Sequence, residues 1–151
     1  MWTKQDFLDY VAQNWYLRDY ASKIASWAIG EKEAVLEDYL AKKERDQEGY
    51  HVEEHYVVTD RRLLHFKLVH REVEYHTVFV SDDMASIAQR FQAPERPEYF
   101  RDYKLMRAPN VEVVLKNGTS ITFEALPYPE DKERFKKFVL ALVSLFPARR
   151  N

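Results

Sequence analysis

Leu64-His65-Phe66-Lys67-Leu68-Val69-His70-Arg71-Glu72-Val73-Glu74-Tyr75-His76-Thr77-Val78-Phe79 reads as two strands and the turn between them. Leu64, Phe66 and Leu68 alternate with His65 and Lys67, while Val73, Tyr75, Thr77 and Phe79 alternate with Glu74, His76 and Val78. A period of two is the mark of a half-buried strand. With His70 and Arg71 as the turn, Lys67 stands opposite Glu74 and Phe66 opposite Tyr75, so apolar faces coincide and charges pair. The same register sets His65 against His76 on the outer face.

Toward the C-terminus, Met84 to Phe91 fits either a strand or a short helix started by Ser81-Asp82-Asp83. Pro94 and Pro97 mark a loop, Tyr99 to Met106 reads as a strand, and Ala108-Pro109-Asn110 reads as a break. A three-residue loop, Lys116-Asn117-Gly118, pairs Val113 with Ile121 and Val111 with Phe123 and gives Gly118 a left-handed position. Strands are thus expected near 51–59, 62–69, 72–80, 84–91, 99–106, 111–116 and 119–126. Pro129 opens a final helix with Glu130, Asp131 and Glu133 in its first turn, and Pro147 ends it. Phe135, Phe138, Val139, Leu142, Leu145 and Phe146 make one wide apolar stripe that must be buried.

Toward the N-terminus the period changes. Thr3 can cap a helix in which Phe7, Leu8, Val11 and Trp15 share a face, and the pattern continues through Ile24 to Trp27 and Ala28. Gly30 is the expected left-handed stop. Val35, Leu36, Tyr39 and Leu40 are spaced for a second helix, followed by the charged stretch from Lys42 to Glu48 and a turn at Gly49. The chain therefore divides, on this reading, into an N-terminal helical segment, 1–48, and a strand-rich part, 50–147, within one compact unit.

Tyr56-Val57-Val58-Thr59-Asp60-Arg61-Arg62-Leu63-Leu64 resembles the first hairpin of bacterial pleckstrin-homology-like domains, which often reads valine or leucine, Thr-Asp, then Arg-Leu. The Asn117-Gly118 hairpin and the Phe135-to-Phe146 helix fall where that family would put them. The resemblance covers about residues 50–147 and implies an α+β fold: a pleckstrin-homology-like antiparallel barrel of about seven strands with a C-terminal capping helix, here preceded by helices. The alternative is an open α+β sheet with Met84–Phe91 helical. In that family, basic residues of the first hairpin loop grip inositol phosphates. This chain has only Arg61 and Arg62 there, and Asp82-Asp83 in a neighbouring loop, so no phosphoinositide ligand is expected. The resemblance then implies a protein-binding or self-assembling scaffold.

At 151 residues the chain can bury roughly 70% of the surface its unfolded form exposes. It contains no cysteine, which removes disulfides, thiolate metal sites and cysteine nucleophiles. Met1 to Phe7 carries no signal-like apolar core, and no segment has the length of a membrane span, so a cytoplasmic protein is expected. A net charge of −2 argues against broad nucleic-acid binding. Ser81 and Ser86 lack the context of a serine nucleophile, adjacent Asp82 and Asp83 point apart on an extended chain, and no phosphate loop occurs. A non-catalytic binding or assembly module without cofactor or resident metal is the expectation. Its partner is another protein or a second copy, met through Trp15, Trp27, Val35, Leu36 and Tyr39. All five histidines lie between His51 and His76, and the alternative is a metal-dependent hydrolase using a histidine cluster: His65 and His76 as a pair, His51 or His55 near them, and Glu53, Glu54 or Glu74 as a further ligand.

Overall fold

The computed structural model describes residues 1–92, 107–125 and 129–146. The chain forms two compact units, Met1–Val80 and Ser81–Asn151. The expected segment boundary near Gly49 lies within the first of them, at the tip of a hairpin.

In the first unit, helices α1 (Lys4–Asn14) and α2 (Arg18–Ala28) precede four strands: β1 (Val35–Arg45), β2 (His51–Thr59), β3 (Arg62–Val69) and β4 (Glu72–Val80). These make one antiparallel sheet in the order β1-β2-β3-β4. Thr3 caps α1 as expected, accepting the Asp6 N–H through its hydroxyl at 3.2 Å. The β3–β4 register is the expected one, with His65 opposite His76, Phe66 opposite Tyr75 and Lys67 opposite Glu74. His70 takes a φ of 56° in the turn, which allows a tight turn without Gly or Asn.

Three expectations are corrected here. The N-terminal helix is two helices, because Trp15 takes an extended conformation and Leu17 a left-handed one, with φ 68°. Gly30 is not the left-handed stop; Ile29 ends α2 in an extended conformation, and the Gly30 N–H is taken by the Glu33 carboxylate at 2.9 Å. Val35 to Arg45 is a strand, not a second helix. Val35 and Tyr39 are four apart, a spacing that suits both periods, and bulges at Val35/Glu37 and Leu40/Lys42 blur the alternation. Pairing with β2 decides the matter, including Lys42 within 3.7 Å of Glu54 across the strands.

The helices cover one face of this sheet. Phe7, Leu8, Val11, Trp15, Ala21, Ala25, Ala28 and Ile29 pack with Val35, Val57, Leu64, Phe66 and Leu68 in a single core.

The second unit opens on a single 3-10 turn, Ser81–Asp83, followed by β5 (Met84–Gln92), β6 (Arg107–Leu115), β7 (Ser120–Glu124) and helix α3 (Pro129–Leu145). Met84–Gln92 is therefore a strand, which removes the helical alternative. Pro109 does not break the chain: β6 runs through it, with a register shift opposite at Arg90/Gln92. The last hairpin has the expected register, Val113 on Ile121 and Val111 on Phe123, and Gly118 is left-handed with φ 88°. The expected stripe of α3 is inward: Phe135, Phe138, Val139, Leu142 and Leu145 are buried, and Phe138 meets Phe123 edge-on at 5.5 Å. The strand expected at Tyr99–Met106, the loop at Pro94 and Pro97 and the stop at Pro147 lie outside the described residues.

The protein is thus α+β, with two antiparallel sheets and a C-terminal helix. Among the described residues the ladders are β1-β2-β3-β4 and β5-β6-β7, and they do not join into the single closed barrel expected. The 3-10 turn replaces a hairpin between β4 and β5, and among the described residues no ladder joins these two strands. No helix among the described residues is long and apolar enough to cross a membrane.

Candidate functional site

The helix-facing side of β2 is unusually polar: His51, Glu53, His55 and Thr59 share it with Val57. His55 faces Phe66 across the ladder, so its ring lies under the connection between α1 and α2. Its Nδ1 is 2.7 Å from Asp38 Oδ1 and its Nε2 is 2.6 Å from Glu53 Oε1. Asp38 reaches this face because the β1 bulge sets Val35 and Asp38, three apart, on the same side. Trp15 donates its indole N–H to Asp38 Oδ2 at 2.8 Å and lies flat on the His55 ring, centroids 4.0 Å apart. The Tyr16 N–H is given to Glu53 Oε1 at 3.2 Å, and His51 Nε2 is 3.3 Å from Glu53 Oε2.

Burial would lower the His55 pKa, but the charges and hydrogen bonds of Asp38 and Glu53 outweigh it and raise it to about 9. Burial would raise Glu53, yet its bonds with His55, Tyr16 and His51 bring it down to about 2.

A second knot lies at the other end of α2. Arg62 forks onto Glu33, Nε to Oε2 and Nη2 to Oε1, both at 2.9 Å, and the same Nη2 donates to the Ala28 carbonyl that ends the helix. Thr59 donates its hydroxyl to Glu33 Oε2 at 2.5 Å and accepts the Arg61 and Arg62 N–H groups. Burial pushes Glu33 up, but bonds from Arg62, Thr59 and the Gly30 N–H prevail and hold it at about 2. Of the two arginines in the β2–β3 turn, Arg62 is thus engaged internally and half-buried, whereas Arg61 is exposed. The two knots clip α2 to the sheet at both ends.

The histidine cluster of the hydrolase alternative is divided by the sheet. His51 and His55 lie on the helix side; His65 and His76 meet on the other, ring centroids 5.2 Å apart. His65 Nε2 is 2.9 Å from Glu54 Oε1. Burial pushes the His65 pKa below its ordinary value, against the pull of Glu54 and with repulsion from His76. Among the described residues no group of three or more His, Asp or Glu side chains is disposed to hold a metal ion.

The expected interaction surface is likewise separated. Trp15, Val35 and Tyr39 are buried and Leu36 is half-buried, because a strand and a helix connection take them into the core. Trp27 alone of the five stands out, 84% exposed. The reason is a change of phase: α2 restarts after Leu17, so Ala21, Ala25 and Ala28 face inward while Trp27 and Tyr20, the latter 49% exposed, face outward. Small residues inside bring the helix close to the sheet and leave its aromatic side chains in solvent.

The knots at Asp38, Glu53 and His55 and at Glu33, Thr59 and Arg62 were not foreseen. A signal existed: once His65 pairs with Tyr56, the odd-numbered residues of β2 share the face of Phe66, and four of them are polar.

No family model, curated protein or solved structure matches the chain.

Proposed function

We propose that this protein is a non-catalytic, cytoplasmic binding or assembly module that engages another protein, or a second copy of itself, through the outer face of α2. The observation that carries the reading is the orientation of that helix: alanines inward, Tyr20 and Trp27 outward. Trp and Tyr are the residue types in which binding free energy concentrates at protein interfaces. The two ionic knots support it further, since a helix clipped at both ends loses little freedom on docking. The polar side chains of both knots are turned inward and engaged with one another, which suits a structural duty.

The pleckstrin-homology-like relationship is part of this proposal. The strand-rich order and the final helix support it. Against it, the strand Val35–Arg45 precedes the expected set, so the Thr59-Asp60-Arg61-Arg62 turn joins the second and third strands rather than forming a first hairpin, and the strands form two ladders. With Arg62 occupied by Glu33, the loop retains one free arginine, which supports a protein partner over an inositol phosphate.

Light scattering across a range of concentrations, together with affinity capture from cell extract, tests the reading with the full chain and Trp27→Ala. The variant is expected to lose self-association or a captured protein while keeping its fold. An unchanged mass and an unchanged set of captured proteins would overturn it.

A further inference from the structure

The contacts of His55 favour its protonated form on geometry alone. A neutral imidazole has one N–H and one lone pair. Here both ring nitrogens face carboxylate oxygens, at 2.7 Å on Asp38 and 2.6 Å on Glu53. A neutral ring would set a lone pair against an acceptor at one of them, unless a carboxyl carried the proton. Both carboxylates, however, also accept from other donors: Asp38 Oδ2 from the Trp15 indole, Glu53 Oε1 from the Tyr16 N–H. Those donors favour the ionised form of each carboxylate, and with it a cationic ring between them. The Trp15 ring covers the face of the imidazole with planes 19° apart, where an aromatic face favours positive charge.

We infer that the His55 imidazolium is an ionic latch on the α1–α2 connection, and that loss of its proton releases Trp15 and Tyr16 from the sheet.

The ionisable groups around it are accounted for on every side. β1 presents Asp38; β2 itself presents Glu53 and, beyond it, His51; β3 presents Phe66, with Tyr75 of β4 behind it at 5.6 Å. The connection presents Trp15 and Tyr16, whose hydroxyl is directed away to the His70 carbonyl. Removing the proton would leave two buried carboxylates facing a neutral ring, and a buried charge without its counter-charge is strongly unfavourable. The connection is the part placed to yield. Leu17 and Arg18 both have positive φ, 68° and 41°, a conformation that non-glycine residues hold only where surrounding contacts enforce it. Trp15 and Tyr16, immediately before them, supply such contacts. Release therefore removes the restraint on a strained pair. The raised pKa of His55, about 9, means that the latch stays closed through neutral pH and opens under alkaline conditions.

Nuclear magnetic resonance of the full chain, titrated from about pH 6 to 10.5 around the ordinary histidine value, tests this. The His55 ring is expected to titrate near 9, with the Trp15 indole resonance moving at the same midpoint and the amide of buried Phe79 in β4, in the same unit, unmoved. Asp38→Asn is expected to lower the His55 midpoint by at least about one pH unit, a tenfold change in proton affinity. Titration of His55 near its ordinary value would overturn the latch. So would a Trp15 resonance that stays fixed as His55 loses its proton, or a Phe79 resonance that shifts with it, the mark of general unfolding of the unit. Should Asp38→Asn fail to fold, the titration of the unaltered chain decides alone.

Discussion

Arg62 holds Glu33 in a two-pronged ion pair across 29 positions of sequence, both prongs 2.9 Å long. The pair closes the first unit on itself: Glu33 lies between α2 and β1, Arg62 opens β3, and the Ala28 carbonyl at the end of α2 shares the same guanidinium. Planar forks of this kind match carboxylate geometry and are stronger than single contacts.

Truncating the arginine would leave the Glu33 carboxylate buried without its counter-charge. Arg62→Ala is expected to destabilise by about 3–5 kcal/mol, the cost of breaking a buried pair from one side. Its neighbour Arg61, exposed in the turn, is expected to stay within about 0.5 kcal/mol on the same replacement. Urea denaturation of the two variants separates them, and equal losses would deny the fork its role.

Acid should act on both knots. Glu33 and Glu53 have folded pKa values of about 2, below their ordinary 4.5. The unfolded chain therefore binds more protons between these values, and stability falls as pH drops. The contribution is complete above pH 4.5 and is lost as pH falls through 2. Denaturant midpoints measured at several pH values over this window should decline steadily, and Glu33→Gln should flatten the slope. A level profile in the unaltered protein would contradict the assignment.

Two tryptophans are expected to respond unequally to the same replacement. Trp15→Phe removes the donor to Asp38 Oδ2 and leaves a buried acceptor unpaired, at a cost of about 1–3 kcal/mol. Trp27→Phe, on the solvent side of α2, should change stability by no more than about 0.5 kcal/mol. Thermal unfolding followed by circular dichroism checks both.

In the second unit, Leu142 is fully buried on the inner stripe of α3, whereas Leu140 is 60% exposed. Leu142→Ala is expected to cost about 2–5 kcal/mol by emptying a packed site. Leu140→Ala should leave stability within about 0.5 kcal/mol. A loss well under 1 kcal/mol at Leu142 would mean that the stripe contributes little to packing, contrary to its burial.

Much of the local structure was legible in the chain. The β3–β4 register followed from matching Phe66 with Tyr75 and Lys67 with Glu74, because a slip of one residue would invert every face. The Val113–Ile121 pairing followed from the left-handed demand at Gly118, and the inner face of α3 from a stripe repeating at helical period. These features are set by neighbours within about twenty residues, so the sequence states them directly.

Val35 to Arg45 was misread because Val35 and Tyr39, four apart, satisfy helix and strand alike, and the bulges that distinguish them exist only against β2. The face of Trp27 was misread because the positive-φ pair Leu17 and Arg18 resets the helical phase with no glycine to announce it. The buried knots joined Asp38, Glu53 and His55 with Trp15, and Glu33 with Arg62. Each requires charges from separate elements to meet away from water, where each is tolerable only beside its partner. By itself, then, the sequence determined the β3–β4 and β6–β7 hairpins, the closing helix and the absence of cysteine chemistry. Only the tertiary structure decided which histidines are buried and which tryptophan faces solvent, because burial and charge pairing depend on which elements come together rather than on periodicity within any one of them.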